Sequence, residues 1–328
     1  MILVVGGAGY IGSHVVKQLL DDGQKVVVLD NLTTGHLNSV DSRAIFFEGD
    51  MGSQTTLEQL FSKYPVDSVM HFAANSLVGE SVTNPIKYYQ NNVANTLNLL
   101  SKMVEHGISN FIFSSTAATY GLVEDILITE DTKLNPINPY GRSKLMIEQI
   151  LHDFHSAYKL NYTVLRYFNA AGADPSGEIG ENHDPETHLI PLVLKNLLGE
   201  RESITIFGED YDTFDGTCVR DYIHVNDLAN AHILSLKALW KNDFKTATYN
   251  LGNGNGYSVK EIIDMCEKVT SRTANVIIGE RRNGDPSKLV ADASKIKTDL
   301  GWKPKFDLKD IVEHAWNYHT QNNKVINN

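Results

Sequence analysis

Two cysteines, Cys218 and Cys266, are all that 328 residues carry. That is too few for a disulfide scaffold and fits a reducing compartment. No long basic run occurs, and 29 Lys and Arg against 40 Asp and Glu leave a formal net charge of -11. A surface of that sign argues against nucleic acid or anionic membrane as a main partner. No apolar stretch approaches the ~20 residues that span a bilayer. The chain opens on Ile2-Leu3-Val4-Val5 with neither a charged leader nor an apolar h-region behind it, so no secretory signal is expected. Internal repeats and low-complexity tracts are missing as well. These absences leave a soluble cytoplasmic protein of ordinary globular composition, long enough for one large domain or two moderate ones.

What is present is an alternation of short apolar runs with helical stripes. Residues 2–5 read as a strand that runs at once into Gly6-Gly7-Ala8-Gly9-Tyr10-Ile11-Gly12. Behind it Ile11, Val15, Leu19 and Leu20 trace one face of a helix. Glycines at 6, 9 and 12 permit a tight turn and close approach of backbone to a pyrophosphate, while the helix start offers N–H groups and a positive dipole end. A second strand, 26–29, leads to Asp30, where a carboxylate would hold a ribose 2′-hydroxyl and repel a 2′-phosphate. NAD is therefore expected rather than NADP.

Further strands are expected at 44–47, 68–72, 111–113 and 162–167, with helices around 55–61, 85–106 and from Pro139 onward. Strands alternating with helices make an α/β fold with a Rossmann-type doubly wound parallel sheet, which binds ligands at the carboxyl ends of its strands. Those ends carry Asp50, Phe72-Ala73-Ala74, Ser114-Ser115-Thr116 and Tyr167-Phe168-Asn169.

One helix start stands out. In Asn138-Pro139-Tyr140-Gly141-Arg142-Ser143-Lys144, Asn138 suits the cap and Pro139 the first helical position. Leu145, Ile147, Ile150, Leu151, Phe154 and Tyr158 continue a buried face. Tyr140 and Lys144, four apart, share one side of the helix. A lysine ammonium nearby favours a phenolate, which suits proton transfer from an alcohol. The same spacing also describes an exposed tyrosine beside a surface lysine.

The second half reads differently. Residues 170–184 are rich in Gly, Pro, Asn and Asp, a plausible crossing between domains. The expected division is 1–169, rejoined by a segment near 217–242, and a smaller, loop-rich α/β part over 170–328. An apolar segment at 189–198, a strand at 204–207 and another at 219–225 follow, with Asn226 or Asp227 capping a helix to Trp240. Ser258 and Glu261 match a capping box for a helix through Val269. A last helix over 308–319 is expected to end in a frayed tail, 321–328.

The motifs GGAGYIGSH (6–14), LDN (29–31), HFAA (71–74), VGES (78–81), FSSTAATYG (113–121), NPYGRSK (138–144), RYFNAAGA (166–173), DGTCVRDYIHV (215–225), YNLGNGNG (249–256) and ERRNGD (280–285) occur in this order. They resemble the extended short-chain dehydrogenase/reductase family, and within it the branch that inverts UDP-sugars at C4. The match runs from the first strand to about Trp302. The resemblance implies interconversion of UDP-galactose and UDP-glucose through a 4-ketosugar. Tyr140 would be the base, Thr116 a proton relay and Lys144 the group that holds the nicotinamide ribose and the phenolate, with Ser114 in support. NAD would stay tightly bound, touched by Gly6, Gly9, Tyr10, Ile11, Gly12, Asp30, Asn31, Asp50, Met51, Phe72, Ala73, Ala74, Asn91, Ser114, Tyr140, Lys144, Tyr167 and Phe168. Thr116, Asn169, His188, Leu189, Thr205, Phe207, Arg220, Tyr222, Arg282, Asp285 and Leu289 would line the UDP-sugar site.

Five residues depart from the pattern or qualify it. Ser76 stands where some relatives place a lysine near the phosphates. His188 stands where many have asparagine. Leu289 is intermediate in size at the position of the sugar-pocket gate, leaving UDP-N-acetylhexosamines open as side substrates. Phe207 also reads as ordinary core, and Arg281 as a solvated charge. His183 and His188 resemble no metal site in spacing or partners, so pocket or surface histidines and no metal are expected. Relatives imply a homodimer through the helices near 85–106 and 139–158. A 4,6-dehydratase would need Asp-Glu after Thr116, where this chain has Ala117-Ala118. A UDP-glucuronate epimerase differs in needing to neutralise a C6 carboxylate, and a non-catalytic NAD sensor would not need Thr116, Tyr140 and Lys144 together.

Overall fold

The computed structural model describes residues 1–123, 127–282 and 285–326. In chain order β1 (Ile2–Val5), α1 (Tyr10–Asp21), β2 (Val26–Asp30), β3 (Ile45–Glu48), α2 (Gln54–Lys63) and β4 (Ser68–His71) build the first part of a sheet. Short helices α3 (Val78–Thr83) and α4 (Pro85–Tyr88) follow, then a π-helical segment (Tyr89–Ala94) leading into α5 (Asn95–Glu105). After them come β5 (Asn110–Thr116), α6 (Pro139–Tyr158) and β6 (Asn161–Tyr167). The second half adds β7 (Asn169–Ala171), α7 (Leu189–Leu198), β8 (Ile204–Phe207), β9 (Val219–Arg220), β10 (Tyr222–His224), α8 (Val225–Lys241) and β11 (Thr246–Leu251). It ends with β12 (Tyr257–Ser258), α9 (Val259–Thr270), β13 (Val276–Gly279), β14 (Lys288–Leu289), α10 (Ser294–Leu300) and α11 (Leu308–Ile326). No helix among the described residues is long and apolar enough to cross a membrane.

The main sheet runs β11-β6-β5-β4-β1-β2-β3, all parallel. The order in which the chain adds strands reverses between β1 and β4, and such switch points are where open α/β sheets bind ligands. Alternate residues of β1 serve opposite faces. Ile2 and Val4 pack with Val15, Leu19, Leu228 and Leu236 from α1 and α8, whereas Leu3 and Val5 pack with Leu57, Leu99, Met103 and Ile147 from α2, α5 and α6. Each such buried aliphatic side chain contributes roughly 1.5–3 kcal/mol. A third apolar cluster, between α7, α9 and α11, is the core of the smaller part.

Several expectations need correction. The strand foreseen at 219–225 is two strands in two small sheets, β9 with β12 and β14, and β10 with β7. The break is Asp221, whose buried carboxylate accepts N–H groups of Asn253, Gly254 and Ala291 at 2.7–3.1 Å. The cap of α8 is neither Asn226 nor Asp227 but His224, whose Nδ1 accepts the Asn226 N–H at 3.0 Å. Asp227 instead receives the N–H groups of Lys305 and Phe306. β11, a strand not foreseen, closes the sheet beside β6. The terminal helix continues to Ile326 rather than ending near 319; Asn327 and Asn328 lie outside the described residues. The Asn138 cap and the Ser258–Glu261 capping box form as expected.

A buried polar network fixes α6 against the sheet. Glu148 on α6 pairs with Arg166 of β6 at 2.6 Å and accepts the Ser115 hydroxyl at 2.5 Å. Arg166 also donates to the Tyr120 hydroxyl, which in turn donates to Asn250 of β11 at 2.6 Å.

Candidate active site

The glycine loop sits at the carboxyl end of β1, beside the switch point. Gly6 has φ +80°, and a Cβ there would lie 2.5 Å from the Ala73 backbone nitrogen; one on Gly12 would lie 2.2 Å from the Gly6 carbonyl oxygen. Both glycines are thus required by backbone packing. Gly9 is different, because its Cβ would meet only Gly6 O, at an ordinary 3.4 Å. It precedes α1, which no side chain caps. Asp30 lies alongside, its two oxygens accepting the N–H groups of Ala8 (3.0 Å) and Leu32 (2.9 Å). Asn31 donates to Asp50 at 2.8 Å, tying the ends of β2 and β3 together. The Met51 side chain is core, packed in the cluster with Leu29 and Leu57.

At the end of β5, Tyr140 and Lys144 come down from α6 onto Ser114 and Thr116. Gly141 makes the approach possible, since a Cβ there would stand 2.5 Å from the Ala118 carbonyl oxygen. Burial raises the pKa of Tyr140 above its ordinary value, and a hydrogen bond with Thr116 opposes the rise. Lys144 donates to the Ser114 carbonyl at 2.8 Å and lies over the Phe113 ring at 4.9 Å. Burial brings its pKa down to about 7, against the pull of Glu148. In the protein alone, desolvation therefore keeps the proton on Tyr140 and weakens the lysine as a cation, unlike the lysine-held phenolate that the spacing suggested.

Ser114 has a partner that sequence reasoning missed. His232 of α8 uses Nδ1–H on the Leu228 carbonyl at 2.8 Å, which leaves Nε2 to accept the Ser114 hydroxyl at 2.9 Å. Burial lowers this histidine to about 4, so it is the neutral form that holds Ser114. Its ring also packs on Phe72 at 4.9 Å. Asn91 donates to Asn92, and Asn92 to the Ser143 hydroxyl at 3.0 Å, joining the π-helical segment to α6. Ala73 and Ala74 are half-buried beside the switch point. Tyr167 ends β6 with its hydroxyl pKa raised by burial, and the Phe168 N–H bonds to Leu251 O.

The remaining expected site residues lie on β7 and in the chain that follows it. Asn169 bonds to the Asp221 carbonyl through backbone and side chain. Arg220, paired in register with Leu289, donates to the carbonyls of Val219 and Pro286 at 2.9 Å and faces Asp285 at 3.7 Å. Tyr222 is buried on β10 and Leu189 begins α7. Thr205 and Phe207 lie on β8; Phe207 is exposed rather than core, with the Arg282 guanidinium 3.9 Å over its ring. Arg281 is no free charge, because it pairs with Asp210 at 2.6 Å and stacks on Tyr211. Asn283 and Gly284 of the 280–285 motif lie outside the described residues. Ser76 is exposed. His188 turns its ring toward Glu181 and Glu186, at 2.8 and 3.1 Å.

The family model described as "NAD dependent epimerase/dehydratase family" matches residues 2–252. The chain belongs to this family. The UDP-glucose 4-epimerase of Halalkalibacterium halodurans is 54% identical over 98% of this chain and 96% of its own. Among solved structures, the Brucella ovis UDP-glucose 4-epimerase in complex with NAD superposes with a TM-score of 0.93 at 47% identity, covering 96% of this chain and 97% of that one. The Bifidobacterium longum enzyme in complex with NAD+ and UDP gives 0.92 at 40%, covering 98% of each.

Membership in the NAD-dependent epimerase/dehydratase family makes the chain an NAD-dependent enzyme, and the loop residues fit that cofactor. Gly9 leaves the space beside an uncapped helix start free of side chain, and a carboxylate rather than an arginine stands at the end of β2. These are the features that accept a pyrophosphate and an unphosphorylated ribose.

Proposed function

We propose that the chain interconverts UDP-galactose and UDP-glucose by reversible inversion at C4 through a 4-ketosugar. The observation that carries this reading is the convergence of Tyr140 and Lys144, one turn apart on α6, on the end of β5, where Lys144 donates to the Ser114 carbonyl at 2.8 Å and Thr116 opposes the rise in the Tyr140 pKa. Tyr140 takes the proton of the C4 hydroxyl and returns it after the ketosugar has turned over. Thr116 bonds the same oxygen and relays the proton. Lys144 can leave the Ser114 carbonyl for the nicotinamide ribose, and its charge beside Tyr140 then favours the phenolate. Bound NAD supplies the hydride acceptor at C4 and is regenerated in each turnover. General acid–base help of this kind is worth about 10²–10⁴-fold.

Arg220, Arg282, Phe207, Thr205, Tyr222, Asn169, Leu189 and Asp285 support binding of UDP, since guanidinium groups offer paired donors to a diphosphate. The smaller part over 170–328 would hold the sugar nucleotide. Residues 1–169, with the segment returning near 217–242 and β11, would hold NAD. Leu289, intermediate in size, leaves UDP-N-acetylhexosamines open as side substrates. Two buried free cysteines support a cytoplasmic setting. A homodimer is supported by apolar side chains left exposed on α3–α6: Val82, Ile86, Leu97 and Met146.

The test is proton NMR of the anomeric signals of UDP-galactose with purified protein and no added cofactor. Growth of UDP-glucose signals to a steady ratio is expected. No conversion, even after NAD is supplied, would reject the reading.

A further inference from the structure

Before α7 the chain gathers four metal-ligating side chains at one point: Glu181, His183, Glu186 and His188. One ligand atom from each lies within 4.8 Å of all the others. Glu181 Oε1 is 3.3 Å from His183 Nδ1 and 2.8 Å from His188 Nδ1, and His183 Nδ1 is 3.7 Å from Glu186 Oε2. Ligands held at about 2.0–2.1 Å around a tetrahedral centre stand roughly 3.3 Å apart. The observed spacings straddle that value.

Two imidazolium–carboxylate pairs could also produce such distances, but the orientations argue otherwise. The His188–Glu186 contact, 3.1 Å between Nδ1 and Oε1, is aligned as a hydrogen bond, and the ion would take the place of its proton at Nδ1. Glu181 Oε1, His183 Nδ1 and Glu186 Oε2 are shielded from solvent yet have no aligned hydrogen-bond partner. The two glutamate side chains are only 4% and 3% exposed. Buried polar atoms seldom go unsatisfied, and here they converge on a common centre. Glu186 is also pre-oriented, its Oε1 accepting the N–H groups of Thr187 and His188 at 2.8 and 2.9 Å, which leaves Oε2 for the cluster.

We propose that Glu181, His183, Glu186 and His188 bind a divalent transition-metal ion of the zinc class. Two carboxylates and two neutral imidazoles balance a dication, so the site carries no net charge. Nitrogen ligands favour zinc over magnesium or calcium. Four protein ligands fill a tetrahedral shell and leave no position for substrate, so the ion is structural. Its place in the fold says what it would hold. The His183 ring meets Tyr10 of the dinucleotide loop edge-on at 6.1 Å, Tyr10 donates to Gly172 O at 2.7 Å, and His188 is the cap residue just before α7. The metal would pin the 172–188 loop between the glycine loop and α7.

The experiment is elemental analysis of untagged protein, dialysed after incubation with zinc, together with the visible spectrum of protein loaded with cobalt(II) alone. About one zinc per chain and the intense d–d bands of tetrahedral cobalt are expected. His183→Gln and, separately, Glu181→Gln should lose zinc at least about tenfold and abolish the cobalt bands, with circular dichroism unchanged. Wild-type protein that retains no zinc and gives no tetrahedral cobalt spectrum would show an ion-paired cluster only and overturn the proposal, whatever the variants do. Zinc content unchanged in folded variants would place the metal elsewhere and overturn it too.

Discussion

At Tyr140 two effects oppose each other: burial favours the neutral phenol, and the Thr116 hydrogen bond favours the phenolate. The proposed proton transfer runs through this one oxygen. Tyr140→Phe should therefore lower kcat by about 10²–10⁴-fold while the purified protein keeps its NAD, measured by absorbance after denaturation. Loss of NAD along with activity would instead make Tyr140 a binding residue. Lys144 is a buried cation whose pKa falls from 10.5 to about 7 on folding. Between those values the unfolded chain binds the extra proton, so this group lets stability rise with pH across that window. Below about pH 7 its cost is present in full. With cofactor removed, Lys144→Met should melt higher than wild type at pH 7, the advantage shrinking toward pH 10; a constant difference in calorimetric scans would refute this. That Tyr140 and Lys144 share one side of α6 was legible as an i,i+4 spacing. Their ionisation was not, because it depends on burial, which a spacing does not report.

The helix α6 is held as an element by the Glu148–Arg166 pair, eighteen residues apart in the chain but in contact across α6 and β6. Glu148→Gln leaves the Arg166 charge buried and under-compensated, a change that costs about 3–5 kcal/mol; urea unfolding measures it. The glycine loop is the other critical element. An alanine at Gly12 would push against backbone 2.2 Å away, so the turn must open, at about 1–3 kcal/mol. Gly12→Ala should purify with little NAD, which its absorbance ratio reports. The loop could be read in advance because strand, glycines and helix are contiguous. The pivot at Asp221 could not, since its three N–H partners come from residues 32 to 70 positions away.

For the molecule as a whole, the exposed apolar side chains of α3–α6 are the feature on which the proposed homodimer rests. Ile86 is 79% exposed, and an exposed apolar patch of this kind is a candidate contact between two copies. Sedimentation should give twice the chain mass for wild type and a monomer for Ile86→Asp. A wild-type monomer would refute the homodimer.

The dinucleotide loop, Asp30, the Asn138 cap and the alternating strands up to β6 follow from the sequence, because periodicity, capping and tight turns are contacts between near neighbours in the chain. Packing alone decided the rest. β11 lacks a continuous apolar run and is a strand only because β6 offers it an edge. His232 reaches Ser114 across 118 positions. Glu181, His183, Glu186 and His188 are near neighbours in sequence, but an irregular loop has no period to assign them a common face, so only the folded path of that loop brings their ligand atoms to one point.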